Sequence, residues 1–282
     1  FRKKVELASE PQVREQMFFR MAKLWEEVLG NYEQAINTYK EVLAQDDSNL
    51  EALRSLDRLY VQQKMWTDLS ENLQRQLVLT QEQADTVPVL VRLAALRETE
   101  LNEMAASVDT YRQVLEIDPS NEAATQALER LIKLPDHELN VATILEPIYK
   151  QQNDWSKLIF VYEIMVKHSI DPIRKIELLH EIARLYEEGG ENGVEAFNTF
   201  ARALREDPTR EDSQKQLERL ARQLDRFQDL VNLYGEVVEQ ASHDVELQVH
   251  LWTRIAQIYE QNLGNTDKSA EAYHRVIKVD ER

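Results

Sequence analysis

Leu24-Trp-Glu-Glu-Val-Leu-Gly-Asn-Tyr-Glu-Gln-Ala-Ile-Asn-Thr-Tyr39 decides the fold of this chain, because the same pattern is written three more times. It returns at Leu96–Tyr111, Leu185–Phe200 and Ile258–Tyr273, and the closing aromatics Tyr39, Tyr111, Phe200 and Tyr273 stand 72, 89 and 73 residues apart. Self-similarity at such periods marks a solenoid, in which each unit buries its apolar face only against its neighbours. Around the first copy, Phe18, Met21, Ala22, Trp25, Val28 and Leu29 recur at helical spacing, as do Ala35, Ile36, Tyr39, Val42 and Leu43. These are two amphipathic helices with Gly30-Asn31 as the stop between them.

Each period divides into two hairpins. The second kind carries Leu56-Asp-Arg-Leu-Tyr60 followed by Trp66-Thr-Asp-Leu69, and reappears as Leu217-Glu-Arg-Leu-Ala221 with Phe227-Gln-Asp-Leu230. Its middle copy is split: Leu128-Glu-Arg-Leu-Ile132 comes first, and Leu145-Glu-Pro-Ile-Tyr149 with Trp155-Ser-Lys-Leu158 follows 17 residues later. The 89-residue interval therefore holds one extra helix, with Pro147 inside it as a source of a kink. Pro11, Pro88 and Pro172 are expected where helices start. Asp118-Pro119 and Asp207-Pro208 are expected to close them. The reading is an all-α, right-handed α-solenoid of about 15 antiparallel helices with a bend near residues 134–152. It divides into sub-arrays 1–135 and 136–282. Phe1–Ala8 matches the stretches at Leu73 and Tyr162, so the first sub-array is expected to open in mid-helix, as a slice of a longer array.

Composition agrees. Only 6 Gly and 7 Pro in 282 residues are too few turn residues for a many-stranded sheet. With 34 Lys and Arg against 51 Asp and Glu, the net charge of −17 excludes a nucleic-acid partner, which demands a basic surface. No apolar run approaches the roughly 18 residues of a membrane span. Cys is absent, which excludes disulfides and thiolate chemistry. The compartment is left open, the cytoplasm being the first expectation.

These motifs resemble the tetratricopeptide repeat family. The residues that carry the resemblance are Met21-Ala22, Trp25, Gly30, Ala35, Tyr39 and Val42 in the first copy, and Leu93-Ala94, Tyr111, Val114 and Pro119 in the second. Ile182-Ala183, Tyr186, Ala196, Phe200, Ala203 and Pro208 carry it in the third, with Ile255-Ala256, Tyr259, Gly264, Tyr273 and Val276 in the fourth. The first hairpins hold about one residue more than the usual turn. The resemblance implies a superhelix whose concave groove is lined by the first helix of each pair and binds peptides or helices.

Two charge columns recur along those groove helices. Glu26, Glu98, Glu187 and Glu260 follow the aromatic position, and Arg58, Arg130 and Arg219 sit inside the Leu-acid-Arg-Leu motif. They are expected to pair between adjacent hairpins or to offer charge to a ligand. Phe19, Lys23, His180, Arg184, Thr253 and Gln257 share the same helix faces and complete the partner-binding set. The family's clamp for a terminal carboxylate is not matched, because its positions hold Phe19 and Lys23, Val91 and Ala95, or His180 and Arg184. Trp66, Trp155 and Phe227 fill one slot and read as core, as do Trp25 and Trp252.

No His neighbours a Ser in a nucleophile arrangement, and His243, Glu246 and His250 supply too few ligands for a metal site. Asp46-Asp-Ser-Asn49 reads as a capped turn rather than a calcium loop. No catalytic residue, metal or cofactor is expected. The reading is a non-enzymatic scaffold that binds a basic or amphipathic protein segment in an acidic groove. A self-assembly module, forming homo-oligomers, and a regulatory arm of a larger enzyme are the alternatives.

Overall fold

The structure, a computed structural model, describes residues 11–80, 82–241 and 243–280, and these are helical throughout, joined by short turns. Phe1–Ala8, expected to open the chain in mid-helix, lies outside the described residues. The chain divides into two compact units, residues 1–137 and 138–282. In the first unit lie α1 (Pro11–Lys23, prolonged by a π-helical turn at Leu24–Val28), α2 (Tyr32–Leu43), α3 (Leu50–Gln63), α4 (Trp66–Leu79), α5 (Gln83–Thr99), α6 (Met104–Ile117) and α7 (Glu122–Leu131). In the second lie α8 (Glu138–Gln152), α9 (Trp155–His168), α10 (Pro172–Glu188), α11 (Gly193–Glu206), α12 (Glu211–Leu224), α13 (Phe227–Gln240), α14 (Val245–Gln261) and α15 (Thr266–Asp280). These fifteen helices are the expected array of hairpins. The extra helix is α8, which repeats in Leu145-Glu-Pro-Ile148 the motif that α7 carries in Leu128–Leu131.

The helices exist because each apolar stripe is covered by its neighbours. In the first unit Tyr39, Leu53, Leu56, Leu59 and Leu73 are at most 1% exposed. Leu204, Leu217, Leu230, Tyr234 and Leu251 do the same in the second. Each such leucine contributes about 1.5–3 kcal/mol. Small residues set how closely the two helices of a long hairpin approach. Ala22, Ala94, Ala183 and Ala256 are wholly buried on the first helices, in register with Ala35, Ser107, Ala196 and Ser269 on the second. Ser107 and Ser269 each donate a hydrogen bond across that crossing, to the carbonyls of Ala94 (2.9 Å) and Ala256 (3.0 Å).

The long hairpins all turn in one way. A backbone N–H reaches back six residues in each, Asn31 to Trp25 (2.9 Å), Glu103 to Arg97, Asn192 to Tyr186 and Asn265 to Tyr259 (2.8 Å each). This wide turn is the extra residue noticed in the sequence. It requires a left-handed residue, at Gly30 (φ 60°), Asn102 (54°), Glu191 (46°) and Gly264 (61°). Asn31 and Asn192 then cap the following helix, each accepting from a backbone N–H three residues on at 3.1 Å. The second-kind hairpins use Lys64, Asn153 and Asp225 in the same left-handed conformation. Asp46 and Asp118 organise the capped turns before α3 and α7 by accepting from Ser48 and Ser120.

Two expectations are corrected. Pro172 does open α10 behind an Asp171 cap, but Pro88 lies inside α5, which begins at Gln83. So early in the helix the proline removes only the bond to the Ala84 carbonyl, and Gln83–Val87 holds no other breaker. Trp155 is not core: it is 37% exposed, whereas Trp66, Phe227, Trp25 and Trp252 are partly buried against the two cores. The Trp155 indole lies on the backbone of Gly189-Gly190, so close that a Cβ on Gly189 would overlap it. That contact explains the glycine pair in the third copy.

The left-handed turns give a direct test. Glu191→Gly is expected to raise stability by about 0.5–1 kcal/mol, because glycine adopts that conformation without steric cost. Gly264→Ala, whose new methyl meets nothing within 4 Å, is expected to lower it by about 1 kcal/mol through the backbone alone. Urea denaturation of both variants checks the pair of signs.

Candidate functional site

The first helices of successive hairpins are α1, α3, α5 and α7 in the first unit. On them the two charge columns meet. Arg58 of α3 donates to Oε1 of Glu26 through Nη2 (2.7 Å) and Nε (3.1 Å), while the Tyr39 hydroxyl of α2 donates to Oε2 (3.2 Å). Glu98 repeats the arrangement with Arg130 (3.2 Å) and Tyr111 (3.1 Å). In the second unit Glu187 takes Arg219 Nη2 on both oxygens, at 2.7 and 2.9 Å, and Phe200 stands where the tyrosine was. The carboxylates are recessed and the guanidinium groups exposed: the Glu26 side chain is 12% exposed and that of Arg58 60%. Burial next to a carboxylate pushes the Tyr39 hydroxyl up to about 12, and raises Tyr111 and Tyr234 further in the same direction.

The remaining residues of the partner-binding set are more scattered. Phe19 packs edge-on against Tyr39 (5.3 Å between ring centres), with the Lys23 ammonium 5.3 Å from its own ring. His180 Nε2 lies 2.7 Å from the buried Ser213 hydroxyl and its ring sits edge-on to Phe200. Arg184 pairs with Glu181 on its own helix. Thr253 donates to the Val249 carbonyl (2.7 Å), and Gln257 accepts from Arg254 (3.3 Å). Glu260 is exposed, and among the described residues it has no hydrogen-bond or ion-pair partner.

Only one opening brings several of these residues together. It is a cleft of about 570 Å³ between α10 and α12, lined by His180, Arg184, Glu187 and Arg219, with Glu188, Asp212 and Lys215 at its edge. The first unit has its own cleft between α3 and α5, of about 820 Å³, where Asp57, Arg58 and Arg92 share the wall with Leu50, Val61 and Val89.

Two segments match models of the tetratricopeptide repeat, residues 16–48 and residues 249–282. The chain is a helical array of tetratricopeptide repeats. Arrays of this family are generally scaffolds for protein–protein interaction. Among solved structures it is similar to MamA at 25% identity, over 65% of this chain and 92% of that one, with a TM-score of 0.26. It is similar to the C-terminal part of a repeat protein from Cytophaga hutchinsonii at 14% identity, over 93% and 95% of the two chains (TM-score 0.33). A third is the TPR2AB domain of yeast Sti1 in its pHSP90 complex, at 10% identity over 94% and 99% (TM-score 0.33). Comparison with curated proteins finds no match.

The repeat array also holds a second set of pairs that sequence reasoning missed. The acid just before each motif arginine points to the next hairpin: Asp57 takes Arg92 in a two-pronged contact (2.7 and 2.8 Å), and Glu218 takes Arg254 at 2.8 Å. In the first unit Glu26–Arg58, Asp57–Arg92 and Glu98–Arg130 thus link α1 to α3, α3 to α5 and α5 to α7 in turn. Arg92 and Arg254 share one slot, but the third copy fills it with Glu181, which hides the column. On the second helices another ladder runs through Lys40–Asp68 in the first unit, and through Arg202–Glu163 and Arg205–Glu236 in the second.

Arg130→Ala and Glu98→Ala, combined in a double-mutant cycle, are expected to show a coupling of about 0.5–1 kcal/mol, read from denaturation midpoints. His180 gives a pH test. Burial lowers its pKa below 6.5, outweighing the opposing carboxylates of Asp212 and Glu181, while Arg210 lowers it further. The folded state therefore holds His180 neutral, and the stability this contributes is complete above 6.5 and lost as pH falls below that value. Urea midpoints at about pH 7.5 and 5.5 should fall less in His180→Gln, which keeps a partner for Ser213 but cannot titrate.

Proposed function

We propose that the array is a non-enzymatic scaffold that holds a basic, amphipathic protein segment in the cleft between α10 and α12. One observation carries this reading. Every cation at that cleft already has its own anion: Arg184 has Glu181, Lys215 has Glu211 (2.9 Å) and Arg219 has Glu187 (2.7 Å). Glu188 and Asp212 are exposed and, among the described residues, belong to no ion pair. The charge left over for a partner is negative, so Lys or Arg side chains are the complement, steered by a chain of net charge −17. Phe200 and the His180 ring give the floor an apolar part for the other face of such a helix. A helix laid along a groove is one of the recurring modes of peptide recognition.

A non-catalytic role fits the chemistry on this face. Ser213, the hydroxyl beside His180, has no exposed surface and cannot meet a substrate. Among the described residues no three metal-ligating side chains converge.

Fluorescence anisotropy with a panel of short Lys- and Arg-rich amphipathic peptides tests the proposal. Binding is expected to weaken as salt rises from about 50 to 300 mM, and the double variant Glu188→Lys/Asp212→Lys is expected to lose about tenfold in affinity and most of that salt dependence. Affinity and salt slope both unchanged in the double variant would place the partner elsewhere.

A further inference from the structure

The outer face of α15 carries a stripe that the same helix buries in every other copy. Tyr273 occupies the slot of Tyr39, Tyr111 and Phe200, which are 0%, 3% and 4% exposed, yet Tyr273 is 38% exposed. Ile277 occupies the slot of Leu43, Leu115 and Leu204, at 7%, 4% and 0%, and is 55% exposed. Among the described residues no helix covers this face.

What is missing can be specified from the three covered copies. The covering helix is always of one kind, α3 over α2, α7 over α6 and α12 over α11, and each carries Leu-acid-Arg-Leu. The two leucines of that motif, Leu56 and Leu59, Leu128 and Leu131, or Leu217 and Leu220, are at most 3% exposed. Its arginine reaches back to the glutamate of the preceding first helix, as Arg58 does to Glu26, Arg130 to Glu98 and Arg219 to Glu187. Glu260 stands in that same glutamate slot on α14, exposed and without a partner among the described residues. Apolar surface and carboxylate sit in the same register as in the three occupied joints.

We propose that the α14–α15 end of the second unit docks an amphipathic helix of a separate polypeptide bearing Leu-acid-Arg-Leu. Its leucines cover Tyr273 and Ile277, and its arginine pairs with Glu260. A second copy of this chain does not offer such a helix, since the leucines of α3, α7 and α12 are already buried within their own units. The surface is separate from the α10–α12 cleft, so either assignment can fail without the other.

A fluorescein-labelled, helix-stapled peptide with the sequence of residues 211–224, which contains Leu217-Glu-Arg-Leu220, provides the test by anisotropy titration against the 282-residue chain. Saturable binding is expected. Ile277→Asp should weaken it at least about tenfold, since it places a charge in the apolar contact. Glu260→Arg should weaken it about threefold to fivefold, and an Arg219→Glu peptide should recover that loss. Both protein substitutions are at exposed positions, and circular dichroism confirms that each variant is folded. The proposal is overturned by the absence of saturable binding, or by binding that Ile277→Asp and Glu260→Arg leave unchanged. It is equally overturned by a concentration-dependent dimer in light scattering that Ile277→Asp abolishes, which would assign the face to a second copy.

Discussion

No hairpin of this chain can bury its own apolar stripe; each needs the next one laid across it, and the whole of each unit follows from that need. A solenoid built only from leucine stripes would be stable but free to slide, because apolar contact has no direction. The recessed glutamates supply the direction. Removing a carboxylate from water is tolerable only where donors replace the water. Glu26 and Glu98 find two such donors at one place, a tyrosine within the hairpin and an arginine on the helix that covers it. A covering helix displaced by one turn would keep its apolar contact and lose the arginine. Burial, at about 1.5–3 kcal/mol per leucine, holds the joint together; the ion pairs, worth about 0.2–1 kcal/mol each, choose its register.

Much of this was legible before any coordinates. The spacing of Tyr39, Tyr111, Phe200 and Tyr273 marked the hairpins, and the 17-residue surplus marked α8. Arg58, Arg130 and Arg219 stood out because their column is unbroken. The less legible features are those where the chain meets a common geometric demand with unlike residues. Asn102 and Glu191 adopt the conformation of Gly30, and neither side chain announces it. The Asp57–Arg92 and Glu218–Arg254 pairs escaped notice because Glu181 interrupts their slot. Trp155 was read as core since its counterparts are packed; only the three-dimensional contact shows it resting on a glycine backbone, half in water. Pro88 misled because a proline marks where a helix can begin, not where it must.

The formal charge of −17 also reads differently once the pairs are known. On the first-helix faces the recessed carboxylates carry guanidinium groups above them, so much of the acidity there is neutralised locally. What a partner meets is a set of small outward-pointing dipoles interrupted by single bare carboxylates such as Glu188 and Asp212. Specificity on such a surface comes from where those bare positions fall along the helices, more than from their number.

The two-way use of adjacent motif residues, Asp57 forward and Arg58 backward, has a consequence for how the protein forms. Every joint is closed by residues near in sequence: the reach from Glu163 to Arg202, 39 residues, is the longest of the pairs described above. Loops that short close at small entropic cost, and chains dominated by such contacts fold quickly. A hairpin leaving the ribosome needs only its immediate successor before its stripe, its tyrosine and its arginine are all in place, so assembly can keep pace with synthesis.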